Sequence, residues 1–119
     1  MSKAIKSGKF IVKDSDEKQT FASGAMRDID NDKPRYELIP VEALKRLAAL
    51  YAAGAKKYSE DNWRKGMPYR RVYASLLRHM FAFAEGEKTE DHLASIVFNA
   101  MALMYYQEKK MDDLDNMPK

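Results

Sequence analysis

The sequence predicts an all-α protein: a small helical bundle of about three main helices, with an irregular or β-hairpin N-terminal arm, completed by oligomerisation. Three observations carry this. From position 40 onward, apolar residues recur at spacings of three and four, the period of one helix face. The breakers Gly66 and Pro68 and the loop EGEKTE divide that stretch into three periodic pieces, whereas residues 1–35 are polar and have no helical period. A chain of 119 residues has room for one packed core and is short for two. A single domain is therefore expected, with an arm and loop over 1–35, a helical core over 40–110 and a frayed tail over 111–119.

Taken in order, the arm holds two β-like pieces, KFIVK and QTFAS, on either side of the turn-rich DSDEK, which supports a marginal hairpin or an extended arm. The segment GAMRDIDNDKPRYELIP carries a glycine, an Asn-Asp turn and two prolines and reads as a loop. Pro40 suits the first turn of a helix and Glu42 complements its N-terminus. The first helix spans 40–58, with Leu44, Leu47, Tyr51, Ala55 and Tyr58 toward the core and Lys45, Arg46, Lys56 and Lys57 on the other side. Gly54 either lowers helicity there or admits a second backbone. After the loop SEDNWRKGMPY, a second helix spans 69–84 and a third 91–109, with Thr89 or Glu90 near the N-cap and Asp91 in the first turn. Their short connection makes them antiparallel neighbours. The third helix is apolar over most of its circumference, which places it at the centre of the bundle or in a homo-oligomer interface; we favour the homo-oligomer.

Several function classes are excluded. There is no cysteine, so disulfides, thiolate nucleophiles and cysteine zinc sites are absent, and a reducing cytoplasm is the expected location. No apolar run approaches the roughly 20 residues of a membrane span, and the N-terminus lacks the apolar region of a secretion signal. GxSxG, GxxxxGK[ST] and GxGxxG are all missing. The net charge of +3 suits a small phosphate-bearing ligand better than nucleic acid, which asks for a dense basic face.

Both histidines lie in SLLRHMFAFAEGEKTEDHLASIVFNAM. At ~100° per residue, His92, Ser95, Asn99 and Tyr106 share a wedge of roughly 60° on the third helix, inset among apolar neighbours. His79 borders the apolar face of the second helix beside the small Ser75 and Ala82, and the antiparallel pairing brings it to the level of His92 or Ser95. Two readings stand. One is a buried hydrogen-bond network of His79, His92, Ser95 and Asn99. The other is a metal site drawn from His79, Asp91, His92 and Asn99 with the loop acids Glu85, Glu87 and Glu90, a donor mixture that suits Mn, Fe, Zn or Ni, while Mg prefers oxygen.

Two stretches have the composition of a nucleotide contact: GAMRDIDNDKPR, with Arg27, Lys33 and Arg35, and GAKKYSEDNWRKG, with Lys56, Lys57, Tyr58, Asn62, Trp63 and Arg64. Arginine and lysine neutralise phosphate, asparagine reads a base or sugar edge, and tyrosine or tryptophan stacks on a base. The alternative is that Trp63 and Tyr58 plug the end of the bundle. The ordered series GAMRDIDNDKPRYELIP, GAKKYSEDNWRKGMPY, LLRHMFAFAEGE and DHLASIVFNAMALM resembles a group of small, largely phage-borne dATP/dGTP diphosphohydrolase-like domains, themselves similar to the all-α MazG-type NTP pyrophosphohydrolases. The resemblance covers about residues 21–106.

That resemblance implies a metal-dependent nucleotide site, with Mg or Mn as the divalent ion, that cleaves a (deoxy)nucleoside triphosphate to monophosphate and pyrophosphate. Its motifs fall on Gly24, Ala25 and Arg27; on Lys33, Pro34 and Arg35; on Lys57, Tyr58, Asn62 and Trp63; on Arg78 and His79; and on His92, Leu93, Ala94 and Asn99. MazG-type enzymes carry EExxE and ExxD where this chain has RHMFA and HLAS. In the enzyme reading His79, Asp91 and His92 bind metal with Asn99 or Glu87, Glu87 or Glu90 orients the water, and Arg27, Lys33, Arg35, Lys57 and Arg78 hold the nucleotide in a cytoplasm, the host's if the chain is phage-encoded. The alternative is a phage protein that sequesters a nucleotide, conceivably a host defence signal, without turnover. A third reading, an interaction protein that packs its apolar helix on a partner, leaves the motif series unused.

Overall fold

The computed structural model describes residues 3–7, 10–14, 18–28 and 33–119, so residues 15–17 of DSDEK and the Asn31-Asp32 turn lie outside the described residues. The chain forms two compact units, residues 1–38 and 39–119. In the first, β1 (Lys3–Ser7) pairs antiparallel with β2 (Phe10–Asp14), with Lys3 opposite Asp14 and Ser7 opposite Phe10. β3 (Lys18–Thr20) pairs with β4 (Met26–Asp28). The two β-like pieces of the sequence thus pair with other neighbours and not with each other. Segment 21–25 turns the chain instead: Phe21 N–H donates to Ala25 C=O at 2.8 Å, and Gly24 supplies the φ of 90° that the turn requires. Met26–Asp28, read from sequence as loop, becomes a strand because this turn brings it alongside Lys18–Thr20.

The second unit carries, among its described residues, α1 (Val41–Lys57), α2 (Tyr69–Ala84) and α3 (His92–Glu108), which matches the expected small all-α bundle. Pro40 stands just before α1 as its N-cap, and Glu42 lies in the first turn. Arg46 meets Asp91 and Tyr51 meets Phe98, so α1 runs parallel to α3; His79 meets His92 and Tyr69 meets Tyr106, so α2 runs antiparallel to it. Both helices pack on α3, which is the central element.

The core is small: Leu47, Tyr69, Val72, Ala94, Ala102 and Tyr106, with Tyr106 and Val72 the largest fully buried side chains. Around it pack Trp63 and Met67 from the α1–α2 connection. Tyr106 donates its hydroxyl to the Trp63 carbonyl at 2.6 Å, tying the 3-10 turn Asn62–Lys65 to α3. The expected α1 stripe is only partly inside. Leu47 is buried, but Leu44 and Tyr58 are exposed, because α1 has α3 on one side only. Among the described residues, no atom lies near the space a side chain at Gly54 would occupy, so no second backbone of theirs approaches there.

The tail expected to fray folds back. Met111, Leu114 and Met117 pack on the core, a 3-10 turn forms at Asp112–Leu114, and the Asn116 side chain accepts from Arg70 N–H at 2.9 Å. That bond satisfies one of the orphan donors of the first turn of α2. Methionines spaced along a polar tail gave a seam that charge composition hid. No helix among the described residues is long and apolar enough to cross a membrane.

The tail seats against Gly66, whose φ of 106° is glycine territory and where an added Cβ would come within 2.8 Å of Leu114 Cδ1 and 2.9 Å of Met111 Cε. Gly66→Ala is expected to lower stability by about 1–3 kcal/mol, mostly backbone strain since both clashing atoms are flexible ends. Gly54→Ala, helical and with open space in front, is expected to raise it by about 0.5–1 kcal/mol; urea denaturation of the two variants checks both signs.

Candidate functional site

The site forms where the end of α2 meets the start of α3. α2 closes with Gly86 at a φ of 78°, Gly86 N–H donating to Phe83 C=O at 3.1 Å and Glu87 N–H to Ala82 C=O at 3.0 Å. This paired closure reverses the chain directly after the helix and delivers Glu87 beside the first turn of α3. Asp91 caps α3, its Oδ1 accepting from Ala94 N–H at 3.1 Å. His92 is then the first helical residue and is buried, pointing at α2.

Its ring is held at both nitrogens. Nδ1 lies 2.9 Å from His79 Nδ1, and Nε2 bonds the Glu87 carboxylate. Glu87 also accepts from the Thr89 backbone N–H, at 2.8 Å, and from the Thr89 hydroxyl. The Thr89 and His92 donors hold the Glu87 carboxyl down at about 2. An ionised Glu87 accepts only, so His92 Nε2 carries a proton, and in the neutral ring Nδ1 is the lone pair facing His79. His79 Nδ1–H then donates to it. Glu90 Oε1 lies 3.7 Å from His79 Nδ1, and one ligand atom from each of His79, Glu90 and His92 falls within 4.8 Å of the others.

These residues fit a divalent metal. Two imidazole nitrogens bound at right angles to one ion at ~2.1 Å stand about 3.0 Å apart, close to the spacing seen here, so an ion would replace the single proton between the rings. A carboxylate on the far nitrogen, as Glu87 is on His92, is the arrangement that fixes the tautomer and aim of a metal-binding histidine.

Two expected ligands have other partners. Arg46 from α1 grips Asp91 with both ends of its fork, Nε to Oδ2 at 2.7 Å and Nη2 to Oδ1 at 2.6 Å. With the Ala94 cap, this pair holds the Asp91 carboxyl at about 2 and raises the Arg46 guanidinium. Asn99 is buried and donates to Ser95 C=O at 2.8 Å within its own helix. Glu87, expected to act on water, instead orients His92, and Glu90 stands with the histidines. Neither Arg46 nor Thr89 was read from sequence as part of the site: Arg46 was placed on the outer side of α1, and Thr89 or Glu90 near the cap of α3, a position that Asp91 takes. Thr89 follows Glu87 by two residues, a turn-forming spacing, but Arg46 meets a partner 45 residues away and left no local signal.

A shallow cleft of about 210 Å³ opens beside His92, walled by Phe83 and Leu93 and rimmed by Arg46, Lys88, Glu87, Glu90 and Asp91. Within the helical unit the sequence-predicted nucleotide residues are dispersed. Arg78 is exposed on α2 next to His79. Lys57, Tyr58, Asn62 and Trp63 lie at the other end of the bundle: Trp63 packs edge-on with Tyr51, Phe98 and Tyr105 under the Arg64 guanidinium. Tyr105 is about 20 Å along α3 from His92 at 1.5 Å per residue. Lys57 lies over the exposed Tyr58 ring. Arg27, Lys33 and Arg35 belong to the first unit, all exposed, and Arg35 pairs with Glu37 at 3.1 Å.

A family model described as dATP/dGTP diphosphohydrolase, N-terminal, matches residues 23–115. The chain belongs to this family. No curated protein and no solved structure matches it. The part matched to the dATP/dGTP diphosphohydrolase N-terminal family takes in all three helices and the His79, Glu87, Glu90 and His92 cluster, which lies wholly inside the match. Membership makes this a chain of a nucleotide-handling family, as the motif series implied.

Free glutamate and aspartate ionise near 4.5 and 3.8, whereas folded Glu87 and Asp91 do so at about 2. Between those values the unfolded chain binds more protons, so folding stability rises with pH. Metal-free protein is expected to hold this stabilisation above about pH 4.5 and lose it as pH falls toward about 2. Asp91→Asn, which keeps a capping side chain, should flatten the dependence; melting temperature against pH in chelator measures it.

Proposed function

We propose that this domain is a divalent-metal-dependent (deoxy)nucleoside triphosphate diphosphohydrolase, yielding monophosphate and pyrophosphate. The observation that carries it is the His79, Glu90 and His92 cluster, with Glu87 behind His92, inside the segment that matches a dATP/dGTP diphosphohydrolase family. His79, His92 and Glu90 would hold the ion. A bound divalent ion supplies Lewis-acid neutralisation of phosphate charge. Glu87 fixes His92 as the Nε2–H tautomer, so the ring presents a lone pair and not a proton to the site. Glu90 is largely exposed at the mouth, and its second carboxylate oxygen is the acceptor for the proton of the attacking water. The water oxygen bonds the α-phosphorus while the α–β bridging bond breaks, and the oxygen of that bridge leaves on pyrophosphate. Phe83 and Leu93 offer an apolar wall to the rest of the nucleotide.

One observation favours the second reading, a domain that binds nucleotide without turnover. The cluster holds a single carboxylate with two imidazoles, in place of an array of glutamates. We further propose that α3 is half of a homo-oligomer interface. Leu93, Val97, Met101 and Met104 recur along one helix face and are exposed, while the polar His92, Ser95 and Asn99 are buried on the opposite side.

Incubation with dATP or dGTP and Mn²⁺ or Mg²⁺ is expected to release the monophosphate and pyrophosphate, detected by anion-exchange chromatography. Nucleotide binding with no product under either metal moves the assignment to the sequestering protein. His92→Ala should abolish both turnover and the metal-dependent rise in melting temperature. Glu87→Gln should weaken metal binding by about 10–100-fold without abolishing it. Met101→Glu is expected to shift the chain to monomer in light scattering.

A further inference from the structure

Arg46 sits on the rim of the cleft and takes no part in the metal cluster. We propose that Arg46, with Lys88 beside it, is the subsite that receives the polyphosphate of the nucleotide, an inference that rests on the metal-dependent reading above.

The guanidinium is built for an anion. A guanidinium has five N–H donors in a planar fork, and Asp91 takes one from Nε and one from Nη2. Three donors are left, on a side chain that is 56% exposed and lines the cleft. Asp91 is itself fixed by capping α3, so Arg46 is held in one orientation before any ligand arrives. Such a fork meets phosphate oxygens in pairs and loses little side-chain freedom on binding. Lys88 adds a second cation on the same rim, as a mobile point charge.

The charge balance makes the subsite conditional. Around the cleft Arg46 and Lys88 face Glu87, Glu90 and Asp91, so the carboxylates outnumber the cations and an anion is repelled. A divalent ion held by His79, His92 and Glu90 turns the local balance positive. Phosphate binding at Arg46 is therefore coupled to metal binding, and each strengthens the other by the same factor.

The competing account is that Arg46 serves only as an ion pair joining α1 to α3. Calorimetric titration of the full chain separates the two, first with Mn²⁺ and then with inorganic pyrophosphate in the presence and absence of Mn²⁺. Wild-type protein is expected to bind pyrophosphate only when Mn²⁺ is present. Arg46→Gln should bind Mn²⁺ as wild type does but bind pyrophosphate at least about tenfold more weakly, the loss of a charge-assisted hydrogen-bonded pair. Asp91→Asn keeps the cap and the Arg46 charge but gives up the ion pair that aims the guanidinium, so it should lose less pyrophosphate binding than Arg46→Gln. Three results overturn the assignment while leaving the metal reading intact: wild type binding Mn²⁺ but no pyrophosphate, Arg46→Gln equal to wild type, or Asp91→Asn losing as much as Arg46→Gln. Failure of wild type to bind Mn²⁺ overturns the metal reading and the subsite together.

Discussion

The helical unit depends on one strip of α3, in which His92, Ser95, Asn99, Ala102 and Tyr106 are all buried. Four of the five carry a polar side-chain group, and polar groups taken from water need partners or cost roughly 1–3 kcal/mol each. Each end of the strip meets that need differently. Tyr106 reaches the Trp63 carbonyl, Asn99 turns to its own helix backbone, and His92 depends on side chains from outside α3. No buried side-chain polar atom among the described residues is left without a partner. The strip selects what may pack on it: α2 must bring a histidine to the level of His92, and the loop must bring a carboxylate.

The loop between α2 and α3 meets that requirement through backbone geometry. Gly86 reverses the chain, Glu87 follows within one residue, Thr89 holds the Glu87 carboxylate, and Asp91 begins the next helix. These loop residues thereby fix His92 with one nitrogen toward a carboxylate and the other toward His79. The same stretch makes a tight helical hairpin and a preorganised histidine, so fold and candidate site share their supports. Arg46 extends this to α1, since its grip on the Asp91 cap ties that helix to the site.

Regular periodicity was legible in the sequence to within a residue or two. α2 begins and ends where Gly66, Pro68 and EGEKTE predicted, and the antiparallel approach of His79 to His92 followed from the short connection. The wedge of His92, Ser95 and Asn99 was also legible, because a helix fixes relative azimuth from spacing alone. Pairings that depend on distant chain were not. Arg46 looked like a solvated cation on the outer face of α1, Asp91 looked like a ligand when it is a cap and an ion-pair partner, and the polar tail hid Met111, Leu114 and Met117, which pack on the core.

What the sequence determined by itself is therefore local: three helices, their breaks, two histidines turned toward a common edge, and a motif series over about residues 21–106 that resembles the nucleotide-handling family to which the chain belongs. Tertiary structure decided which acid serves which purpose. Glu87, Glu90 and Asp91 are chemically near-equivalent and lie within five residues, and only the Gly86 reversal and the reach of Arg46 separate an orienting carboxylate, a candidate ligand and a helix cap. Composition cannot make that distinction, because it depends on direction: which oxygen faces which nitrogen once α1, α2 and the loop have closed on α3.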